Sequence, residues 1–302
     1  MGVSVSYVVG CEGLAMSRLP GDGVEAVHET CQVAPGAHWN RYLKGSGALE
    51  LTPETWRLVQ TDVSCQVYTD AQLDDYQGLS RRRFRWRPPL NLRIWARFSH
   101  GRDELRGTAG FGFWNDPFLM TGWRPPALPR AVWFFFASPP SDMVLDSAVP
   151  GHGWKAMVLD ALRLPFIVSL PLLPVVAMLM NVRVLRRWIW PPFQRAVRGS
   201  ESLLDVDMRT WHTYEINWMP ASTSFSIDGR VVLDGVPAPT GPLGFVVWLD
   251  NQYAVITPWG RLGYGLLKIV GRQWLEIGEI HIEPLQVVSG ASVDKLAVSR
   301  RH

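Results

Sequence analysis

The sequence predicts an all-β protein built from two stacked antiparallel sheets. Within the stretch Trp211–Leu249, apolar and polar residues alternate over two short runs, Tyr214–Trp218 and Thr223–Ile227. A period of two is typical of half-buried strands. A Met-Pro-Ala-Ser turn separates the runs, and Asp228-Gly229 supplies the corner before a third strand. With 302 residues the chain can bury a large core as one sandwich domain.

Upstream segments repeat the strand pattern. Residues Asn91–Phe98 place four apolar side chains on one side. In the strand Thr108–Asp116, Gly110 and Gly112 leave one face nearly bare, and such a gap lets a ligand or another backbone approach closely. Residues Ala131–Ser138 are apolar on both faces, which indicates a central strand.

Composition shifts divide the chain into one domain and two irregular ends. Residues 1–50 are rich in glycine and small polar residues without a clear period, so we expect an irregular arm there. The sandwich is predicted over 51–285, interrupted by an apolar, helical insertion at about 156–200, and a tail follows over 286–302.

Bulk composition excludes several classes of function. The 30 basic and 27 acidic residues are too balanced to favour nucleic-acid binding. Three cysteines are odd in number and lack metal-ligand spacing, so no metal and no cofactor is predicted. The amino terminus shows no basic segment followed by an apolar core, which predicts a cytoplasmic protein with reduced thiols.

The insertion contains a run without charged residues, 164–180, flanked by arginines. It is shorter than the ~20 residues of a spanning helix and contains three prolines. Arginines and tryptophans near its ends resemble interfacial anchors, so a peripheral dip into one membrane leaflet is one interpretation. A flap over the sheet or a dimer contact is the other. The candidate contact residues are Leu164, Phe166, Ile167, Leu172, Leu173, Trp188 and Trp190.

Two groups of residues resemble family 16 glycoside hydrolases, which share the concanavalin A-like jelly-roll fold. The run Trp211–Trp218 with Asp228-Gly229 resembles their Trp-His-Thr-Tyr and Asp-Gly signature, and Gly110–Asp116 resembles the strand before their catalytic strand. The resemblance covers roughly Trp86–Glu283 and implies a jelly roll that acts on or binds sugars. It also implies an acidic catalytic strand, but Ala131–Ser138 contains no acid. The usual retaining pair, two carboxyls about 5 Å apart, is therefore expected to be missing.

Three functional hypotheses follow. The first is a binding module whose aromatic concave face holds a carbohydrate or glycolipid. Asp250 and Asn251 beside aromatic residues have the composition of a sugar subsite, although a plain turn would explain them too. The predicted ligand contacts are Trp114, Asn115, Trp248, Asn251, Tyr253, Trp259 and Tyr264.

The second hypothesis is a glycoside hydrolase with relocated acids, Asp116 and Asp250, which both leave strands beside tryptophan. It requires carboxyls about 6.5 to 9.5 Å apart across an open cleft. Burial of either acid in a salt bridge would remove it. The third is a membrane-surface protein that binds or transforms an apolar small molecule such as an isoprenoid or lipid. The oligomeric state is left open.

Overall fold

A computed structural model describes residues 25–117, 121–125, 127–145, 148–161, 199–257 and 261–285, with residues 179, 182, 184, 185 and 188. This part of the chain is almost entirely β-structure, arranged as two large antiparallel sheets and one small sheet. The all-β fold class predicted from alternation is confirmed.

The strands follow one another along the whole described chain. In chain order they are β1 (Val27–Glu29), β2 (Asn40–Lys44), β3 (Ala48–Leu51), β4 (Trp56–Val63), β5 (Asp70–Asp74), β6 (Leu90–Phe98), β7 (Thr108–Trp114), β8 (Arg130–Ala137) and β9 (Asp142–Met143). They continue as β10 (Gly153–Asp160), β11 (Ser200–Leu203), β12 (His212–Trp218), β13 (Thr223–Ile227), β14 (Arg230–Val236), β15 (Gly244–Asp250), β16 (Gln252–Ile256), β17 (Leu262–Leu266) and β18 (Ile269–Pro284). A short 3₁₀ turn, Arg81–Arg83, precedes β6.

Two large sheets form the sandwich. One has eight strands, in the order β14-β13-β12-β6-β18-β4-β3, with β1 also paired to β18. The other has seven, in the order β11-β10-β8-β7-β15-β5-β2. A three-stranded sheet, β17-β16-β9, accompanies them. Side chains from the facing sides of both large sheets make one core, which explains why inward positions on each strand are apolar.

The meander is built as predicted. Tyr214 and Trp218 of β12 are buried, and β13 coincides with the predicted run Thr223–Ile227. His212 and Thr213 of β12 both contact Asp228, in the turn between β13 and β14. His212 Nδ1 lies 2.6 Å from Asp228 Oδ2, and Thr213 N donates to Asp228 Oδ1 at 2.8 Å. In this chain the residues that carry the sequence resemblance therefore stabilise a hairpin.

Two predicted boundaries are corrected. The segment 1–50, expected as an irregular arm, contributes β1, β2 and β3, which pair with β18, β5 and β4. The insertion starts later than predicted, because residues 156–160 belong to β10 and pair with β8. The predicted apolar helical insertion is not supported, because most of the segment lies outside the described residues.

Candidate functional site

A cavity of about 100 Å³ lies on the face of the seven-stranded sheet that points away from the sandwich core, called here the outer face. Its aromatic and apolar walls are Trp114, Trp133, Phe135, Met143, Trp248, Tyr253 and Ala254. Its polar walls are Asp70, Gln72, Thr108, Asp250 and Gln252. Four strands of the seven-stranded sheet, β5, β7, β8 and β15, and two strands of the small sheet, β9 and β16, thus line one concavity.

Four rings, Trp114, Trp133, Phe135 and Trp248, form an aromatic floor on this face. Trp133 is central: its ring centroid lies 5.6 Å from Trp114, 5.3 Å from Phe135 and 5.1 Å from Trp248. Each of the four side chains is only 7–8% exposed. Offset and tilted rings at such distances attract one another, so the floor is a packed surface of fixed shape.

The glycines of β7 leave the space that the rings of the aromatic floor occupy. A Cβ at Gly112 would lie 2.7 Å from Trp133 Cβ, and one at Gly110 would lie 2.9 Å from Trp248 Cη2. The bare strip predicted from the sequence therefore exists, but neighbouring indole rings fill it. A ligand would meet these rings rather than the strand backbone.

Hydrogen bonds hold two of the three indole rings of the floor. Trp114 Nε1 donates to the Tyr76 hydroxyl at 2.6 Å, and Trp248 Nε1 donates to Thr108 Oγ1 at 3.0 Å. Trp133 Nε1 is buried and has no hydrogen-bond partner among the described residues. A buried donor of this kind is costly unless a ligand or water satisfies it, so it adds a polar point to the floor.

Two carboxyl groups meet beside the floor. Asp70 of β5 and Asp250 of β15 are directly opposite each other in the antiparallel register. Asp250 Oδ1 accepts from Thr108 Oγ1 at 2.8 Å and from Gln252 N at 2.9 Å. Asp70 Oδ2 accepts from the Tyr68 hydroxyl at 2.7 Å. We call Asp70 and Asp250 the carboxyl pair.

Burial perturbs the ionisation of the pair. It raises the pKa of Asp70 well above its usual range, and repulsion from Asp250 adds to the effect. Burial likewise raises the pKa of Asp250 to about 6, against the opposing effect of its hydrogen bonds. The pair therefore keeps a proton at a pH where ordinary aspartates are ionised.

This shift predicts that the pair makes the protein less stable as the pH rises. An unfolded aspartate titrates near pH 3.9, so between about pH 4 and pH 6 the folded state binds more protons. Stability contributed by the protonated pair is complete below pH 4 and is lost as the pH passes 6. Asp70→Asn lacks this titration. When the pH is raised from 4.5 to 8, the free energy of unfolding of Asp70→Asn should therefore rise by roughly 1–3 kcal/mol relative to that of the wild type.

Urea denaturation at the two pH values measures the difference. Asp75, whose pKa burial raises to about 7, adds a slope of the same sign to both proteins and cancels in the comparison. Parallel pH profiles for the variant and the wild type would contradict the perturbed pair.

Four of the predicted site residues line the cavity together: Trp114, Trp248, Asp250 and Tyr253. Tyr264 lies on β17 and is 65% exposed; partial burial of its hydroxyl raises the pKa of that group, and repulsion from Asp250 adds to the effect. Trp259 lies outside the described residues. Asn115 and Asn251 do not line the cavity. The Asn115 amide hydrogen-bonds to the backbones of Leu128 and Arg130. The Asn251 amide hydrogen-bonds to the backbones of Thr69 and Val67.

The predicted catalytic pair Asp116 and Asp250 is corrected. Asp250 pairs with Thr108 at one end of β7, whereas Asp116 follows Trp114 at the other. Six residues of strand separate those ends, about 20 Å at ~3.3 Å per residue. Asp116 is also fully buried, with its Oδ2 2.5 Å from Arg124 Nη1. Neither condition for a relocated acid pair is met.

Several cavity residues were missed by the sequence analysis: Asp70, Gln72, Thr108, Trp133, Phe135 and Gln252. A signal existed for two of them, since Asp70, Gln72 and Asp74 alternate as polar residues along β5. Trp133 and Phe135 were assigned to a strand that is apolar on both faces, which is correct. The sequence does not show that one of those faces borders a cavity.

The predicted membrane or interface contacts Leu164, Phe166, Ile167, Leu172, Leu173 and Trp190 lie outside the described residues. Trp188 is described and is 74% exposed. Within the described ranges, no helix has the length and apolarity needed to cross a membrane. Membrane contact stays a prediction.

A second concavity, of about 570 Å³, lies against the loop before β9. Asp142 and Val255 line it, whereas Met143 and Ala254 line the aromatic cavity. Since successive strand residues point to opposite faces, the small sheet separates the two spaces. The described walls of the larger one contain no Trp, Tyr or Phe, so the aromatic cavity is the better candidate site.

Comparison with known proteins gives fold-level similarity only. No family model matches the sequence, and no curated protein matches it. Similar solved structures include a β-glucanase of Bacillus licheniformis, 12% identical, covering 86% of this chain and 98% of that one, with a TM-score of 0.44. A pseudo β-1,3-glucanase of Mycobacterium tuberculosis is 10% identical, with coverages of 86% and 98% and a TM-score of 0.47.

An endo-β-1,4-glucuronan lyase of Trichoderma reesei is 11% identical, with coverages of 86% and 95% and a TM-score of 0.44. β-Glucanases are the class of protein that the sequence motifs resemble. The likeness to these structures is therefore one of fold and not of activity.

Proposed function

We propose that the protein binds a carbohydrate on the outer face of its seven-stranded sheet. The observation that supports this best is the convergence of an aromatic floor with buried polar groups on one cavity. A sugar ring offers flat apolar faces and a rim of hydroxyls. Binding sites that are mostly aromatic, with a few fixed polar groups, match that combination.

The cavity sets the scale of the contact. Its volume of about 100 Å³ is below the ~300 Å³ typical of pockets that enclose a whole ligand. A substituent or one edge of a sugar ring would enter it, beside Trp248 and Asp250. The rest of the saccharide would extend over neighbouring surface, as with a chain end or a side group.

Binding without cleavage is favoured by the chemistry of β8. The outer-face positions of this central strand are Ala131, Trp133, Phe135 and Ala137, and none of these side chains can transfer a proton to or from a sugar. Asp116, the predicted partner acid, is held in an ion pair. Hydrolysis by the predicted pair Asp116 and Asp250 is therefore the weaker of the two carbohydrate hypotheses.

Replacing Trp248 with alanine should weaken saccharide binding at least about tenfold, because removing one stacking ring from a packed floor also disturbs its neighbours. A glycan array of β-linked glucans, galactans, N-acetylated and amino oligosaccharides would first identify a ligand. Isothermal titration calorimetry would then compare the variant with the wild type.

Trp123→Ala is the matched control, since that indole is 85% exposed and lies outside the cavity. Its affinity should equal that of the wild type. Equal weakening by both substitutions, or no binding by the wild type to any saccharide, would contradict the proposed site.

A further inference from the structure

The carboxyl pair includes a buried oxygen atom that accepts no hydrogen bond from the described residues. Residues opposite each other in an antiparallel pair have Cβ atoms about 4.5–5.5 Å apart, so the two groups are close neighbours. Asp70 is 1% exposed and Asp250 is 5% exposed. Hydrogen bonds fix one oxygen of each, Asp70 Oδ2 and Asp250 Oδ1. Asp70 Oδ1 is buried at the cavity wall and has no hydrogen-bond partner among the described residues.

No cation in the described part of the chain forms an ion pair with either member of the carboxyl pair. Lys44 is the cross-strand neighbour of Asp70 on β2, but its ammonium lies 5.0 Å from the centroid of the Tyr42 ring. The other titratable groups that face the pair are acids or phenols: Asp74 of β5, Tyr42 of β2, Tyr68, Tyr253 of β16 and Tyr264 of β17. None of them can neutralise a carboxylate.

The other buried acids in the described ranges have partners for their oxygens. Four have cationic partners, in the pairs Asp116–Arg124, Asp160–Arg130, Glu201–Lys155 and Glu276 with Arg57 and Arg97. Asp74 and Asp75 form no ion pair with a described residue but accept hydrogen bonds at both oxygens. The carboxyl pair differs in having a buried oxygen without a donor, and buried charges of this kind are costly unless a cation or donor meets them.

We propose that the carboxyl pair recognises a protonated amine, so that the preferred ligand is an amino sugar with an unacetylated amino group. The inference depends on the proposed function and specifies its ligand class. An ammonium group would donate to Asp70 Oδ1 and to Asp250 while the sugar ring lies against Trp248. An ammonium is also small enough for the cavity. A metal ion is the weaker occupant, because calcium takes six or more oxygens and no cluster of three or more ligating side chains occurs in the described residues.

Proton linkage separates this ligand from a neutral sugar. Since burial raises the pKa of both aspartates, and repulsion from Asp250 raises that of Asp70 further, the unliganded pair holds a proton near pH 6. An ammonium ligand favours the ionised pair and should expel that proton. A hydroxyl ligand can donate to or accept from a protonated carboxyl and leaves the proton in place.

Isothermal titration calorimetry at pH 6, in two buffers of different ionisation enthalpy, tests the proposal. Matched oligosaccharides of one length and linkage, built from glucosamine, N-acetylglucosamine or glucose, serve as ligands. We expect the glucosamine form to bind about tenfold tighter or more, with release of up to one proton per molecule bound. Asp70→Asn and Asp250→Asn should abolish the preference and the proton release. Glu54→Gln, which removes an exposed acid, should change neither.

The other possible results contradict either the amine proposal or the proposed function. Equal affinity for the three saccharides, or a preference that survives both substitutions, overturns the amine proposal and leaves carbohydrate binding intact. Competition by millimolar calcium at wild-type affinity would assign the pair to a metal and also overturns it. Binding of none of the three, together with none on the glycan array, overturns the proposed function itself.

Discussion

Replacing Asp116 with alanine should lower the free energy of unfolding by about 3–5 kcal/mol, the cost of leaving a buried charge without its partner. Arg124 is 6% exposed, and its Nη1 lies 2.5 Å from Asp116 Oδ2. The same guanidinium donates to the carbonyl oxygens of Leu79 and Tyr76, and it lies 5.5–5.6 Å from the rings of Tyr76 and Phe84. These contacts hold the cation in place, so it cannot swing into water when the carboxylate is removed.

The backbone at Asp116 adds a smaller cost. Its φ of +43° lies in the left-handed region, which aspartate and asparagine tolerate better than alanine. Asp62 is the matched control, since it also has a positive φ, +47°, but is exposed and, within the described residues, accepts a single hydrogen bond, from Gly271 N. Asp62→Ala should cost about 1–2 kcal/mol. Urea denaturation followed by tryptophan fluorescence measures both.

Asp116→Asn completes the series, because the amide keeps the backbone conformation and can still accept from Arg124. We expect it to lose about half as much stability and to bind saccharide within twofold of the wild type, since it lies about 20 Å from the carboxyl pair. A loss for Asp116→Ala no larger than that for Asp62→Ala would remove the structural role. It would return Asp116 to the set of candidate site residues.

Alternation of apolar and polar residues in the sequence predicted the strands that bury one face and expose the other. The alternation in Tyr214–Trp218 and in Asn91–Phe98 identified β12 and β6, because one face of each strand is buried and the other is not. The first strands were missed for the complementary reason. β2 and β3 have mostly exposed or half-buried side chains, so little apolar periodicity marks them, and long-range pairing alone defines them.

The site was predicted only in part because the pairing of distant strands brings its residues together. Asp250 was selected for its position beside Trp248, and both line the cavity. Asp70 becomes its neighbour only through the pairing of β5 with β15, across most of the chain length. Asp116 was selected on the same local grounds as Asp250, and its ion pair with Arg124 depends on a loop conformation that composition does not show.

The glycines illustrate the same limit at closer range. Gly110 and Gly112 were correctly predicted to leave a bare strip on β7, because alternating glycines remove every side chain from one face. Which group fills that strip depends on the neighbours in the sheet. β8 brings Trp133 beside Gly112, and β15 brings Trp248 beside Gly110, so the strip becomes the seat of the aromatic floor.

Replacing Gly112 with alanine should therefore cost about 3 kcal/mol or more and weaken saccharide binding as well. The new Cβ would lie 2.6 Å from Trp133 Cα and 2.7 Å from its Cβ, and backbone atoms in the middle of a sheet cannot move aside cheaply. The φ of +146° adds strain for any side chain. Relief requires shifting β8, which tilts the central ring of the floor.

Gly101→Ala is the control for a simple glycine effect, because the nearest atom to its added Cβ is the flexible Glu104 carboxylate at 3.7 Å. It should leave stability within about 0.5 kcal/mol of the wild type. Urea denaturation gives the stability of both variants, and calorimetric titration with the saccharide identified on the array gives their affinity. If Gly112→Ala were as stable as Gly101→Ala and bound the saccharide normally, the floor would not depend on the glycine strip. Stacking on Trp133 would then lose its structural basis.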